Sequence, residues 1–190
     1  MTYTKAVGID SSLQSSGVVS IDLETREVDL RRVKSKGGKD DTWEMRHDRQ
    51  LSLEERIAEA FGPGVIVGIE APAYASTTGS VHDRAGLWWG VYRAAIRAGA
   101  DVRVVPIASR IRYATGKGAG HKDVVLAATI KRYSELDITG NDEADAFLVA
   151  ALTARSVGQP YEIEPLAQIY LKALEKVGPL HESPELVPIS

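Results

Sequence analysis

Three short segments carry the acids whose placement could do chemistry: Val7-Gly8-Ile9-Asp10, Val67-Gly68-Ile69-Glu70 and Asn141-Asp142-Glu143-Ala144-Asp145. The first two are apolar and β-branched and read as buried strands that end on a carboxylate. An acid in that position is costly unless it is solvated, paired or bound to a cation. The carboxyl ends of strands in α/β sheets are also where ligands bind. In the third segment Asp142 and Asp145 stand three apart, so a helix puts both on one face while Glu143 points elsewhere. Brought together, Asp10, Glu70, Asp142 and Asp145 form an all-oxygen donor set that suits one or two hard cations, with Mg²⁺ the default and Mn²⁺ able to substitute. The chemistry such a site favours is hydrolysis of a phosphodiester by metal-activated water, without a protein nucleophile. Taken singly, each acid reads as well in a structural role. Asp10 can start an Asx-turn with Ser11 or Ser12, Glu70 can be a surface acid before Ala71-Pro72, and Asp142 suits any helix start.

These acids need elements to position them. Residues 4–10, 16–23 and 26–34 read as three strands, the last two joined by a turn at Glu24-Thr25, which makes an antiparallel meander. A helix is expected from about Trp43 to Phe61, stopped by Gly62-Pro63-Gly64. Residues 65–69 form a strand covered on both faces. A loop of small residues, 71–80, leads to a helix from about Val81 to Ala98. Asp101 to Val105 is a further strand. Residues 106–114 suit a short helix, His121 to Tyr133 another, and Asn141 is placed to cap an alanine-rich helix from Asp142 to Ser156. A final helix, about Glu164 to Val177, precedes a proline-containing tail. Strands in a meander followed by alternating helices and strands imply one α/β domain with a mixed sheet.

The bulk composition agrees. The chain of 190 residues is 44% apolar and 26% charged, as in ordinary globular proteins, and has no cysteine. Disulfides, thiolate metal sites and cysteine nucleophiles are thereby excluded, and a reducing cytoplasm is the expected home. No apolar run reaches the length of a membrane span, and the first residues lack the layout of a secretion signal. The net charge of -3 hides an asymmetry: residues 103–132 carry seven basic side chains and one acid. A second basic cluster comprises Arg31, Arg32, Lys34, Lys36 and Lys39. Local basic patches on an acidic chain suit a protein that holds phosphates on one face, although a solvated face with no ligand has the same composition.

In combination these motifs resemble the RuvC family of Holliday junction resolvases. Gly8-Ile9-Asp10-Ser11-Ser12 with Ser16-Gly17-Val18 resembles its opening strand and turn, and Val67-Gly68-Ile69-Glu70 its second acidic strand. Gly116-Lys117-Gly118-Ala119-Gly120-His121-Lys122 is similar to its glycine-rich segment ending in a lysine, and Asp142-Glu143-Ala144-Asp145-Ala146 to its acidic helix start. The resemblance spans residues 6 to about 155. It implies an α/β, RNase H-like fold: a mixed five-stranded sheet with an antiparallel N-terminal meander, flanked by helices. The nuclease domain would occupy 1–158, and 159–190 a C-terminal helix and tail. It further implies a homodimer that makes paired nicks in four-way DNA junctions. Asp10, Glu70, Asp142 and Asp145 would be the catalytic metal ligands and Lys122 a catalytic cation at the scissile phosphate. Tyr74, Arg110, Arg112, Lys117 and Lys122 would face DNA.

The chain departs from the family pattern at three points. Ser11 stands where proline is usual, Tyr74 is displaced by one position, and Ile111 falls where a second lysine is usual, with Arg110 and Arg112 on either side. These departures bear on junction selectivity more than on hydrolysis. A flap or replication-fork nuclease of the same fold, or a junction-binding protein with weak catalysis, therefore stays open. A nucleotide-binding protein of the actin and sugar-kinase type fits poorly, because the chain is too short for its two domains. The Walker spacing is absent.

Overall fold

A computed structural model of the protein describes residues 2–72 and 80–182. Strand β1 (Lys5–Asp10) is buried along its middle on both faces, as its unbroken apolar run requires. It pairs antiparallel with β2 (Ser15–Asp22), which pairs antiparallel with β3 (Val28–Lys34). At the β2–β3 turn, Asp22 Oδ1 accepts from the backbone N–H groups of Glu24 and Thr25, and Arg26 takes a positive φ of 67°. On its other side β1 runs parallel to β4 (Val65–Glu70), and β4 parallel to β5 (Asp101–Val105). The order β3-β2-β1-β4-β5 is the mixed five-stranded sheet with an N-terminal meander expected from the sequence.

Helices cover both faces. On one side lie α1 (Trp43–Ala58), capped by the Thr42 side chain at Met45 N–H, and α2 (Val81–Arg97). Their Leu53, Ile57, Leu87 and Val91 pack on Val7, Ile9, Val67 and Ile69. On the other side lie α3 (Ile107–Thr115), α4 (Lys122–Arg132) and α5 (Asn141–Ser156). Helix α5 is central: every residue from Glu143 to Ala154 is buried. It lies directly on the sheet because three strands offer glycine beneath it. A Cβ on Gly8 would overlap the backbone of Ala146 and Ala150. One on Gly17 would overlap the carbonyl of Asp142, and one on Gly68 the side chain of Thr153.

Two local expectations are corrected. Asn141 does not cap α5 but is its first residue; Gly140 holds the cap position without a side-chain bond. Glu143 Oε2 ties the helix start to the preceding turn, accepting from the N–H and hydroxyl of Thr139 at 2.8 Å each. The continuous helix expected over 164–177 is instead one turn, α6 (Gln168–Leu171), followed by a 3₁₀ turn at Leu174–Lys176. Tertiary contacts override the helical pattern here. The segment follows the surface, with Arg132 over the Tyr170 ring and Leu166, Leu174 and Val177 on the core. It then delivers Gly178 and His181 to the open edge of β5, where they bond to Val104 and Val102.

Residues 159–163 are held on the α5 side by a buried polar knot. Glu162 Oε1 accepts from the hydroxyls of Tyr113 (2.6 Å) and Tyr133 (2.5 Å), and its Oε2 accepts from Arg155 (2.7 Å). No helix among the described residues is long and apolar enough to cross a membrane.

Candidate active site

The register of β1 and β4 pairs Gly8 with Gly68 and Ile9 with Ile69, so the next residues, Asp10 and Glu70, end adjacent strands side by side. By strand alternation both acids face the side on which α5 lies, as do the two glycines. The glycines that let α5 settle on the sheet thus bring its first turn, with Asp142 and Asp145, to the ends of these strands. The β1–β2 turn is fixed by buried Ser16, whose Oγ accepts from Ser12 N–H at 2.9 Å and donates to Ser12 C=O at 2.8 Å. The end of β4 is held by Trp88 Nε1, which donates to the Glu70 carbonyl at 2.8 Å. Ser16 belongs to the opening motif singled out in the sequence, whereas nothing there marks Trp88 over its neighbour Trp89. Only Trp88 is core; Trp89 is 53% exposed.

Burial and the acids' own crowding disfavour the charged forms of Asp10, Glu70 and Asp145. The Asp10 carboxyl is pushed up to about 7 by burial and then by repulsion from Glu70 and Asp145. Burial also raises Glu70 and Asp145, against the opposing pull of Arg110 and Lys122. Lys122, exposed at the first residue of α4, is therefore within electrostatic reach of the cluster.

The arginines flanking Ile111 separate cleanly. Ile111 packs against the core, and Arg112 lies along the glycine-rich loop, with its guanidinium 3.0 Å from where a Gly118 Cβ would stand. Arg110 turns into the carboxylates and is only 5% exposed. Its Nε donates to Glu70 Oε2 and its Nη1 to Asp145 Oδ1. Lys117 is exposed on the loop, and Tyr74 lies outside the described residues. Glu143 points away from the cluster, as expected, and pairs with Arg32 at 3.0 Å.

The donor chemistry fits a hard divalent cation: four carboxylates from three elements, with Asp10 left destabilised by burial and then by its acidic neighbours even with Arg110 present. Glu70 and Asp145 are engaged by the guanidinium, and no three Asp, Glu or His side chains among the described residues are disposed to hold an ion as they stand. A cleft of about 410 Å³ opens beside the cluster, lined by Asp10, Glu70, Ile107, Trp88 and Trp89 among others.

No protein-family model matches the chain, and no curated protein matches its sequence. Solved structures do match. The RuvC structure of Thermus thermophilus superposes with a TM-score of 0.61 at 16% identity, over 82% of this chain and 97% of that one. T. thermophilus RuvC in complex with a Holliday junction substrate superposes with a TM-score of 0.59 at 14% identity, over 83% and 98%. The resemblance read from the motifs thus holds for the architecture, and the chain has the RNase H-like fold of the RuvC structures.

Proposed function

We propose that this protein is a metal-dependent endonuclease that resolves four-way DNA junctions by paired phosphodiester hydrolysis. The observation that carries the reading is the gathering of Asp10, Glu70, Asp142 and Asp145 at the ends of β1 and β4 and the start of α5. The shared fold with a RuvC bound to a Holliday junction supports the choice of substrate.

In this reading the four carboxylates would hold Mg²⁺, or Mn²⁺ in its place, and the ion would supply Lewis acidity for activating water and for stabilising the leaving oxygen. Lys122 presents its ammonium to the scissile phosphate, where a fixed cation favours the charge that develops. Arg112 and Lys117, on and beside the glycine-rich loop, hold the flanking backbone electrostatically. Tyr74 stacks on a base at the junction centre. A homodimer places two such sites on one junction, and the exposed Trp89 of α2 offers an aromatic anchor for the contact.

The test is cleavage of end-labelled four-way junctions, flaps and linear duplex, with Mg²⁺ or with EDTA. Metal-dependent, symmetric nicks confined to the junction, leaving 5′-phosphate and 3′-hydroxyl ends, are expected. Flaps or forks cut as readily as junctions would move the protein to the broader branched-DNA nucleases. Junction binding without cutting under any divalent metal would make it a binding protein.

A further inference from the structure

Arg110 is the unusual member of the cluster. Three of its surroundings matter: Glu70 on one side, Asp145 on the other, and side-chain exposures of 7% for the arginine, 13% for Glu70 and 7% for Asp145. A guanidinium stays charged in any protein environment, so this side chain cannot relieve its burial by losing a proton. It is stable there because two carboxylates face it, and they in turn need it. Without a cation among them, four acids crowded at the ends of two strands and one helix would drive each other apart.

The same carboxylates cannot serve a divalent cation while the guanidinium occupies them. A cation bound to Glu70 and Asp145 would stand in contact with a second positive charge, in surroundings that screen it weakly. Arg110 lies close to open space. It sits one turn after Ile107 on α3, and Ile107 lines the cleft that opens beside Glu70. An arginine stem has several rotatable bonds, so the guanidinium can change place while the helix stays where it is. Resting on the nuclease reading above, we propose that Arg110 is the resident counter-cation of the metal-free site, displaced from Glu70 and Asp145 when a divalent cation binds. The side chain then keeps the empty site assembled and sets a threshold that weakly held cations do not pass.

The test follows the Arg110 Nε–H signal in protein labelled with ¹⁵N-arginine, while binding itself is measured by calorimetry with Mn²⁺. In EDTA, one slowly exchanging signal is expected that is missing from Arg110→Lys. Saturating Mg²⁺ should shift it and expose it to exchange. In parallel, Arg110→Gln should bind Mn²⁺ at least about tenfold more tightly than the wild type, because no competing pair must first be broken. Mn²⁺ binding with the Arg110 signal unmoved by Mg²⁺, or equal affinity in Arg110→Gln, would overturn displacement and leave the nuclease reading intact. Absence of Mn²⁺ binding in both proteins would overturn the metal site and the displacement together.

Discussion

Replacing Gly8 with alanine tests whether the glycine track under α5 builds the site. The added Cβ would lie 2.9 Å from the Ala150 Cα and would overlap the Ala146 carbonyl oxygen, all helix backbone. Carbon atoms rest about 3.5–4.0 Å apart, so α5 must retreat by about 1 Å. No rotamer change can absorb this, since the obstructing atoms belong to a helix buried from Glu143 to Ala154. The cost should reach the upper end of ordinary overpacking, about 3 kcal/mol. At about 2–4 °C per kcal/mol for a chain of this size, Tm should fall by roughly 6–12 °C. The same retreat moves Asp142 and Asp145 relative to Asp10 and Glu70, and a misplacement of about 1 Å can cost about 100-fold in rate. Circular dichroism melts and junction cleavage below the lowered Tm measure the two effects separately. Gly62→Ala is the control, because a Cβ there meets nothing within 4 Å. A Gly8→Ala protein that melts with the wild type and cuts at the wild-type rate would refute the packing argument.

Two further outcomes follow from the structure. Burial raises the Glu162 carboxyl, but bonds from Tyr113, Tyr133 and Arg155 outweigh it and hold the group below its ordinary value of 4.5. Its stabilisation is therefore complete above about 4.5 and is lost as pH falls through the lower folded value. Glu162→Gln should cost about 1–3 kcal/mol in urea denaturation at pH 7 and less at acid pH; an equal cost at pH 7 and pH 3 would contradict the assignment. Lys122 is exposed, so Lys122→Ala should leave Tm unchanged while slowing junction cleavage about 100-fold, and an unaltered rate would remove it from the phosphate.

The strands and their terminal acids were legible because Val-Gly-Ile followed by an acid occurs twice, and the start of α5 because Asp142 and Asp145 have helical spacing. The purpose of the glycines was not legible. Gly8, Gly17 and Gly68 lie far apart in sequence and acquire meaning only when one helix crosses all three. Arg110 escaped for a related reason: a nine-residue helix does not reveal its phase, and Arg110 and Arg112 look equivalent until α3 is docked. Once it is docked, Ile111 takes the core, Arg112 the glycine-rich loop and Arg110 the acids. The broken C-terminal helix was hidden by its helical composition, because what bends that segment lies elsewhere, at Arg132, at the core and at the edge of β5.

The most direct measurement of the central claim compares the wild type with Asp145→Asn on one labelled four-way junction, following binding and cutting in the same samples with Mg²⁺. The substitution keeps the shape of the side chain and removes its charge. The variant should bind the junction as the wild type does and fail to nick it. An Asp145→Asn protein that cuts at the wild-type rate would contradict the assignment of the four carboxylates as the working site.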